Sequence, residues 1–257
     1  MPEGDLHLMT MKWPAFSVVL AAALAALATA CQHGARSTPT RWTSAGRKAE
    51  FPSGGYVVRN NVWGDGPGPQ TIWADSSALW GVHADHPDTT GIKAYPHAGW
   101  KVHRRLADVQ QCRSRFAVTV PAAGSYNTAY DIWCERHAYE IMLWVNWHGK
   151  MGPIARSWNA KGEPAVEVAN VAVGGCTWNV YVGTNGFNTV FTFLRTSPAT
   201  TGEVDIKSVL DWIKGRGWFD QTANGDVLLD EVQFGWEIAA SPGGLDFAVT
   251  DFAVDIR

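Results

Sequence analysis

Three carboxylates stand where strand periodicity turns them away from apolar neighbours, and this placement marks them as candidates for chemistry. In Tyr139-Glu140-Ile141-Met142-Leu143-Trp144-Val145, the residues Tyr139, Ile141, Leu143 and Val145 suit a core, while Glu140, Met142 and Trp144 fall on the opposite face. A carboxylate between a thioether and an indole is out of keeping with a plain solvent face. Near the C-terminus, Val232, Phe234 and Trp236 alternate with Gln233, Gly235 and Glu237, so Glu237 also sits among aromatics. Asp131 in Tyr130-Asp131-Ile132-Trp133 has the same form, and the short connection from Glu135 to Ala138 predicts a hairpin that brings it close to Glu140. Such carboxylates suit the cleavage of a glycosidic bond, which needs one ionised carboxylate as nucleophile and one carboxylic acid to protonate the leaving oxygen. Ordinary outward-facing strand glutamates would show the same alternation, so the pattern alone leaves both readings open.

The elements that must position these groups are β-strands. Runs such as FAVTV (116–120), VEVANVAV (166–173), WNVYV (178–182), TVFTFL (189–194) and FAVTDFAVDI (247–256) are rich in β-branched and aromatic residues and are separated by Gly, Pro, Asn and Ser. Many short strands without alternating helices predict an all-β, antiparallel two-sheet sandwich. One helix stands out: Asp205 can cap it, Ile206, Val209, Leu210 and Ile213 form its apolar stripe, and Gly215 can stop it. The chain of 257 residues is 46% hydrophobic, enough for a sizeable core, and its net charge of −3 carries no run of like charge that would mark a nucleic-acid partner. Its 14 tryptophans exceed what a core requires, and indole rings also stack on sugar faces.

The N-terminus reads as an export leader over residues 1–31. Lys12 precedes an apolar run from Phe16 to Ala28 that is too short to span a bilayer comfortably, and Met11 or Met9 is the expected start because the first ten residues lack basic character. Cys31 after Ala28-Thr29-Ala30 resembles a bacterial lipobox, with Ala28 where Leu is preferred; simple cleavage near Ala30 is the alternative. Residues 32–50 read as a polar linker and 51–257 as one catalytic domain. If Cys31 carries lipid, Cys112, Cys134 and Cys176 remain; outside the cell one disulfide is permitted, with Cys112–Cys134 the nearer pair. Asp220 to Asp226 followed by Glu231 approaches a calcium loop, but Thr222 is a poor ligand and Glu231 begins a strand, so a turn is expected. His83-Ala84-Asp85-His86 precedes Pro87, which argues against a helical metal motif. No metal and no cofactor are expected.

The stretches NNVWG (60–64), QTIWA (70–74), AYDIW (129–133), YEIMLWVNWHG (139–149), GTNGFNTVFTF (183–193) and EVQFGWEI (231–238) together resemble glycoside hydrolase family 12, in order from about Tyr56 to Ile256. That resemblance implies a β-jelly roll with a concave substrate cleft and one helix on the convex side. It implies that Glu140 is the nucleophile, Glu237 the acid/base and Asp131 the acidic neighbour of the nucleophile. Asn61 and Trp63 match residues lining the glycone side of the cleft, and Met142 and Trp144 match cleft residues beside the nucleophile. Phe187 stands where the resemblance leads one to expect Trp, and the cysteines match no disulfide pattern of the family.

The resulting expectation is a secreted, monomeric, retaining endo-β-1,4-glucanase acting on cellulose-like or mixed-linkage β-glucan, anchored to a membrane through Cys31 only if that residue is lipidated. A xyloglucan-specific enzyme is the alternative on the same scaffold. A non-catalytic sugar-binding sandwich would share the aromatic surface without needing Asp131, Glu140 and Glu237 together, and a structural surface lipoprotein would explain Cys31 but not the cleft residues.

Overall fold

The computed structural model describes residues 41–257. The leader, the lipobox cysteine Cys31 and the first part of the expected linker lie outside the described residues. Two sheets pack face to face. The smaller has the order β1 (Trp42–Ser44), β4 (Gln70–Ser76), β5 (Leu79–Ala84), β15 (Leu245–Ile256), β7 (Cys112–Thr119) and β13 (Thr201–Asp205). The larger runs β10 (Val168–Val173), β11 (Cys176–Thr184), β12 (Thr189–Arg195), β9 (Tyr139–His148), β8 (Ser125–Cys134), β14 (Leu228–Ala240), β6 (His97–Arg105), β3 (Tyr56–Arg59) and β2 (Glu50–Ser53). All neighbours are antiparallel except β12 and β9, which pair in parallel. This is the jelly-roll sandwich expected, with that single parallel step added.

Period-two alternation decides which side chains fill the interior. Tyr139, Ile141, Leu143 and Val145 are fully buried between the sheets, joined there by Tyr130, Ile132, Phe234 and Trp236. Trp80 from the smaller sheet meets Trp236 from the larger edge to face, with ring centroids 5.0 Å apart. Tryptophan therefore divides as the composition suggested: Trp80, Trp178 and Trp236 are core, whereas Trp63 and Trp158 are exposed.

The helix α1 (Ile206–Gly215) buries the stripe Ile206, Val209, Leu210 and Ile213, and the Asp205 carboxylate accepts from the Ser208 N–H as an N-cap. Trp212 on this helix packs edge to face against Phe193 of β12, on the core side of the larger sheet. Gly215 is the last helical residue instead of the stop; the left-handed turn comes at Gly217 (φ 69°).

One sequence expectation changes, and one point that the sequence left open is decided. The stretch read as linker contains β1, which pairs with β4 in the register Trp42↔Ala74, and the Trp42 ring packs on Phe51. A three-residue strand flanked by polar residues has no periodicity to reveal it; its pairing partner does. Cys112, Cys134 and Cys176 are free thiols, the first two buried in the core. Burial pushes the Cys112 thiol up to about 12, so it behaves as a small apolar residue and not as a bridging group.

Gly235 fixes the path of β14 just ahead of Glu237. The chain at Pro96 and His97 crosses so closely that a Cβ on Gly235 would lie 1.9 Å from the Pro96 carbonyl oxygen. Gly235→Ala should therefore displace β14, destabilising the protein by about 1–3 kcal/mol and lowering activity through Glu237. Urea melts together with initial rates check this; unchanged stability would show that the crossing is slack.

Candidate active site

Strand β8 lies between β9 and β14, and its register places the acidic groups. Glu140 on β9 stands opposite Trp133, Met142 opposite Asp131, and on the other side Gln233 stands opposite Asp131 and Glu237 opposite Asn127. Asn127, Ala129, Asp131 and Trp133 thus share the face of β8 that points away from the core. Asp131, Glu140 and Glu237 come from three neighbouring strands onto one outer face, as the hairpin and alternation predicted.

This face is the floor of an open cleft of about 580 Å³. All seven residues singled out from the sequence, Asn61, Trp63, Asp131, Glu140, Met142, Trp144 and Glu237, line it. Trp63 is 53% exposed, which leaves its ring available to a ligand. Asn61 adopts a left-handed conformation and donates from Nδ2 to the Tyr95 carbonyl at 3.2 Å. Met142 and Trp144 are buried in a small apolar cluster with Ala129 and Val190, so they form the floor and do not project from it.

The site also contains groups that the sequence reading missed. Asn185, in the turn between β11 and β12, donates from Nδ2 to Glu140 Oε2 at 3.0 Å. Its Oδ1 accepts from the backbone N–H groups of Phe187 and Asn188 at 3.0 and 3.1 Å, so the loop itself orients the amide. Asn127 Nδ2 donates to Glu237 Oε2, and the Glu237 N–H donates back to Asn127 Oδ1. Tyr95 is buried beside the acids; burial, then the charges of Asp131, Glu237 and Glu140, raise its pKa well above the ordinary tyrosine value and keep its hydroxyl protonated. The Asn-Gly turn around Asn185 was visible in the sequence, but its reach to Glu140 depends on β12 lying beside β9, a pairing across the β10–β11 excursion. Phe187, at the tip of that turn, is 96% exposed.

Three carboxyls this close divide their protons unequally. Asp131 is held well above the ordinary carboxylate range by burial, then by the charges of Glu140 and Glu237, and its Oδ1 has no hydrogen-bond partner among the described residues. Burial and the acidic neighbours thus favour the protonated form of Asp131, and its hydrogen bond with Glu140 raises Asp131 while lowering Glu140. Burial and the charge of Glu237 push Glu140 up to about 7, while the hydrogen bonds from Asp131 and Asn185 pull it down. Burial raises Glu237, against the pull of Asn127.

The calcium-loop resemblance dissolves in the same geometry. Asp220 accepts from the Tyr139 hydroxyl, Asp226 from the Ala107 N–H, and Glu231 pairs with Arg59 inside the cleft, so the acids point to separate partners. His83 pairs with Asp246, and His86 is buried against Gln70.

The raised pKa of Glu140 is also a statement about stability. Between its ordinary value of 4.5 and about 7 the folded protein holds a proton that the unfolded chain releases. The stability that this contributes is present below 4.5 and is lost as pH rises through about 7. Glu140→Gln should flatten that decline and stabilise the protein by about 1–3 kcal/mol at pH 8. Denaturant melts at acid and alkaline pH check this, and a variant that loses stability equally at both would contradict the assignment.

Comparison with known proteins agrees with this geometry. The family model for Glycosyl hydrolase family 12 matches residues 54–257. Endoglucanase S of Pectobacterium parmentieri is 26% identical over 82% of this chain and 85% of its own length. The xyloglucan-specific endo-beta-1,4-glucanase A of Emericella nidulans is 27% identical over 85% of this chain and 91% of its own. Among solved structures, the xyloglucanase domain of NopAA, a type three effector from Sinorhizobium fredii solved with cellobiose, superposes with a TM-score of 0.80 at 39% identity, covering 84% of this chain and 99% of that one. The chain belongs to glycosyl hydrolase family 12 and is a glycoside hydrolase.

Proposed function

We propose that the protein hydrolyses internal β-1,4-glucosidic bonds of a β-glucan with retention of anomeric configuration. The observation that carries this reading is the convergence of Asp131, Glu140 and Glu237 from three adjacent strands onto the floor of an open cleft. A cleft open along the surface suits an internal stretch of polymer, and the exposed Trp63 offers a stacking face to one of its sugars.

In the first step a carboxylate oxygen of Glu140 attacks the anomeric carbon, and Glu237 gives its proton to the departing glycosidic oxygen. The hydrogen bonds of Asp131 and Asn185 favour the ionised form of Glu140 and aim it. The bond to the leaving sugar breaks and a glycosyl ester with Glu140 forms. The charge on Glu140 is consumed in that ester, which makes Glu237 more acidic and lets it act as base. It then takes a proton from water, whose oxygen attacks the same carbon and restores the Glu140 carboxylate. No cofactor enters these steps.

A second reading, preference for xyloglucan, is favoured by the 39% identity to a xyloglucanase domain. In either case the catalytic domain works as a monomer. The leader directs it outside the cell, through full secretion or through a lipid on Cys31, with the domain following the short linker.

Rates on cellulose, mixed-linkage glucan and xyloglucan, with the first product's anomer followed by NMR, test the proposal. The expected first product keeps the β configuration, Glu140→Gln abolishes turnover, and Glu237→Gln chiefly slows substrates with poor leaving groups. An inverted first product would exclude the double displacement. Asn185→Ala removes a donor that lowers the pKa of Glu140, so the acidic limb of the kcat/KM profile should move to higher pH. An unmoved limb would show that Asn185 does not act through Glu140.

A further inference from the structure

The cleft has a side pocket that the chemistry above does not use. This pocket of about 440 Å³ shares Arg59, His137 and Glu231 with the cleft, and its remaining walls are Lys101, His103, Arg136 and Asp230. Its own acids are engaged. Glu231 Oε1 accepts from Arg59 Nη1 at 3.0 Å, an ion pair that passes over Gly99, where a Cβ would lie 2.2 Å from that oxygen. Arg59 also pairs with Glu50 at 2.9 Å, and Asp230 Oδ2 accepts from the backbone N–H of Arg136. The Lys101 and Arg136 side chains are exposed and make no ion pair among the described residues. The pocket therefore presents two free cations beside acids that already have partners, Glu231 with Arg59 and Asp230 with the Arg136 N–H and, at 4.0 Å, His103 Nδ1.

The wall between cleft and pocket is built from costly backbone. Glu135, Arg136 and His137, the turn between β8 and β9, have φ of 50°, 55° and 70°, and His103 across the pocket has φ 49°. Consecutive non-glycine residues in the left-handed region persist only where their surroundings impose it. Here Glu135 Oε2 accepts from Arg105 Nη1 and from the Leu228 N–H, both at 2.9 Å, while Asp230 holds Arg136. The turn so fixed lays the His137 ring on Trp133 with centroids 4.5 Å apart and planes at 21°, and turns Arg136 into the pocket. Backbone strain, the His137 ring backed by Trp133 and unpaired cations converge on one recess that adjoins the cleft holding Glu140 and Asp131.

We propose that this recess binds an acidic branch of the substrate, a uronyl unit carried on a side branch of the β-glucan main chain, its carboxylate held by Lys101 and Arg136 and its ring set against His137, which Trp133 backs from the cleft side. A planar guanidinium and an ammonium are the natural partners of a carboxylate, and an aromatic wall suits the apolar face of a pyranose. The inference rests on the β-glucanase reading and narrows its substrate to branched chains that carry anionic units.

The test compares two forms of one xyloglucan polymer, neutral and with the C6 hydroxyls of its branch galactoses oxidised to carboxylates. The purified wild-type protein should show kcat/KM about tenfold higher on the acidic form at low ionic strength, and added salt should shrink the ratio because the pairing is exposed. Lys101→Gln with Arg136→Gln should bring the ratio close to one. A wild-type ratio near one, or a ratio that survives the double substitution, would overturn the proposal. Should the double variant fail to fold, the salt series on the wild type decides, and a salt-insensitive ratio overturns it. Absence of hydrolysis on every β-glucan, neutral and acidic alike, would instead bring down the glucanase reading and the branch pocket with it.

Discussion

Three carboxyl groups on adjacent strands cannot all be charged when water is largely excluded from around them. Each ionisation there loses hydration and adds repulsion, so the protons divide by environment. Asp131, buried and with one oxygen unpartnered, is pushed furthest towards its protonated form. Glu140 has the hydrogen bonds of Asp131 and the Asn185 amide, the two contacts that favour its charged form. Glu237 has only Asn127 to offset its burial. Burial thus raises both glutamates, and they differ in how many donors offset it: two at Glu140 and one at Glu237.

Holding such charges in place requires rigid elements behind them. The floor residues alternate with core residues along β8, β9 and β14, so the packing that orders Tyr130, Ile132, Ile141 and Phe234 also fixes Asp131, Glu140 and Gln233 on the other face. Shifting any of these strands by one residue would send a carboxylate into the core, which is why the register is so strongly imposed. Stability and catalytic geometry are in this sense one property, with a cost in charge burial accepted at the floor of the cleft.

The rims have a different origin. Asn185 reaches Glu140 from a loop whose shape comes from its own amide, and the turn at Glu135–His137 is held left-handed by Arg105, Leu228 and Asp230 from other strands. Rims built from such long-range contacts can change shape while the floor stays constant, a natural division between what the reaction requires and what a particular polymer requires.

Much of this was legible in the chain alone. Alternation around Glu140, Asp131 and Glu237 declared which face each would take, because the period of a strand is two and the aromatics beside them could only face a core or a ligand. The α1 stripe and its Asp205 cap were equally plain, since both depend on neighbours within one turn. What escaped were the features set by residues distant in sequence. The strand at Trp42 is too short to have a pattern and exists through β4; the thiols of Cys112 and Cys134 stay unbridged in the packed interior; Asn127 and Asn185 reach their glutamates only through pairings of separate strands. The strained turn at Arg136 follows the same rule: local sequence wrote the hairpin, but its left-handed backbone is imposed by side chains that only the assembled sheet brings within hydrogen-bonding distance.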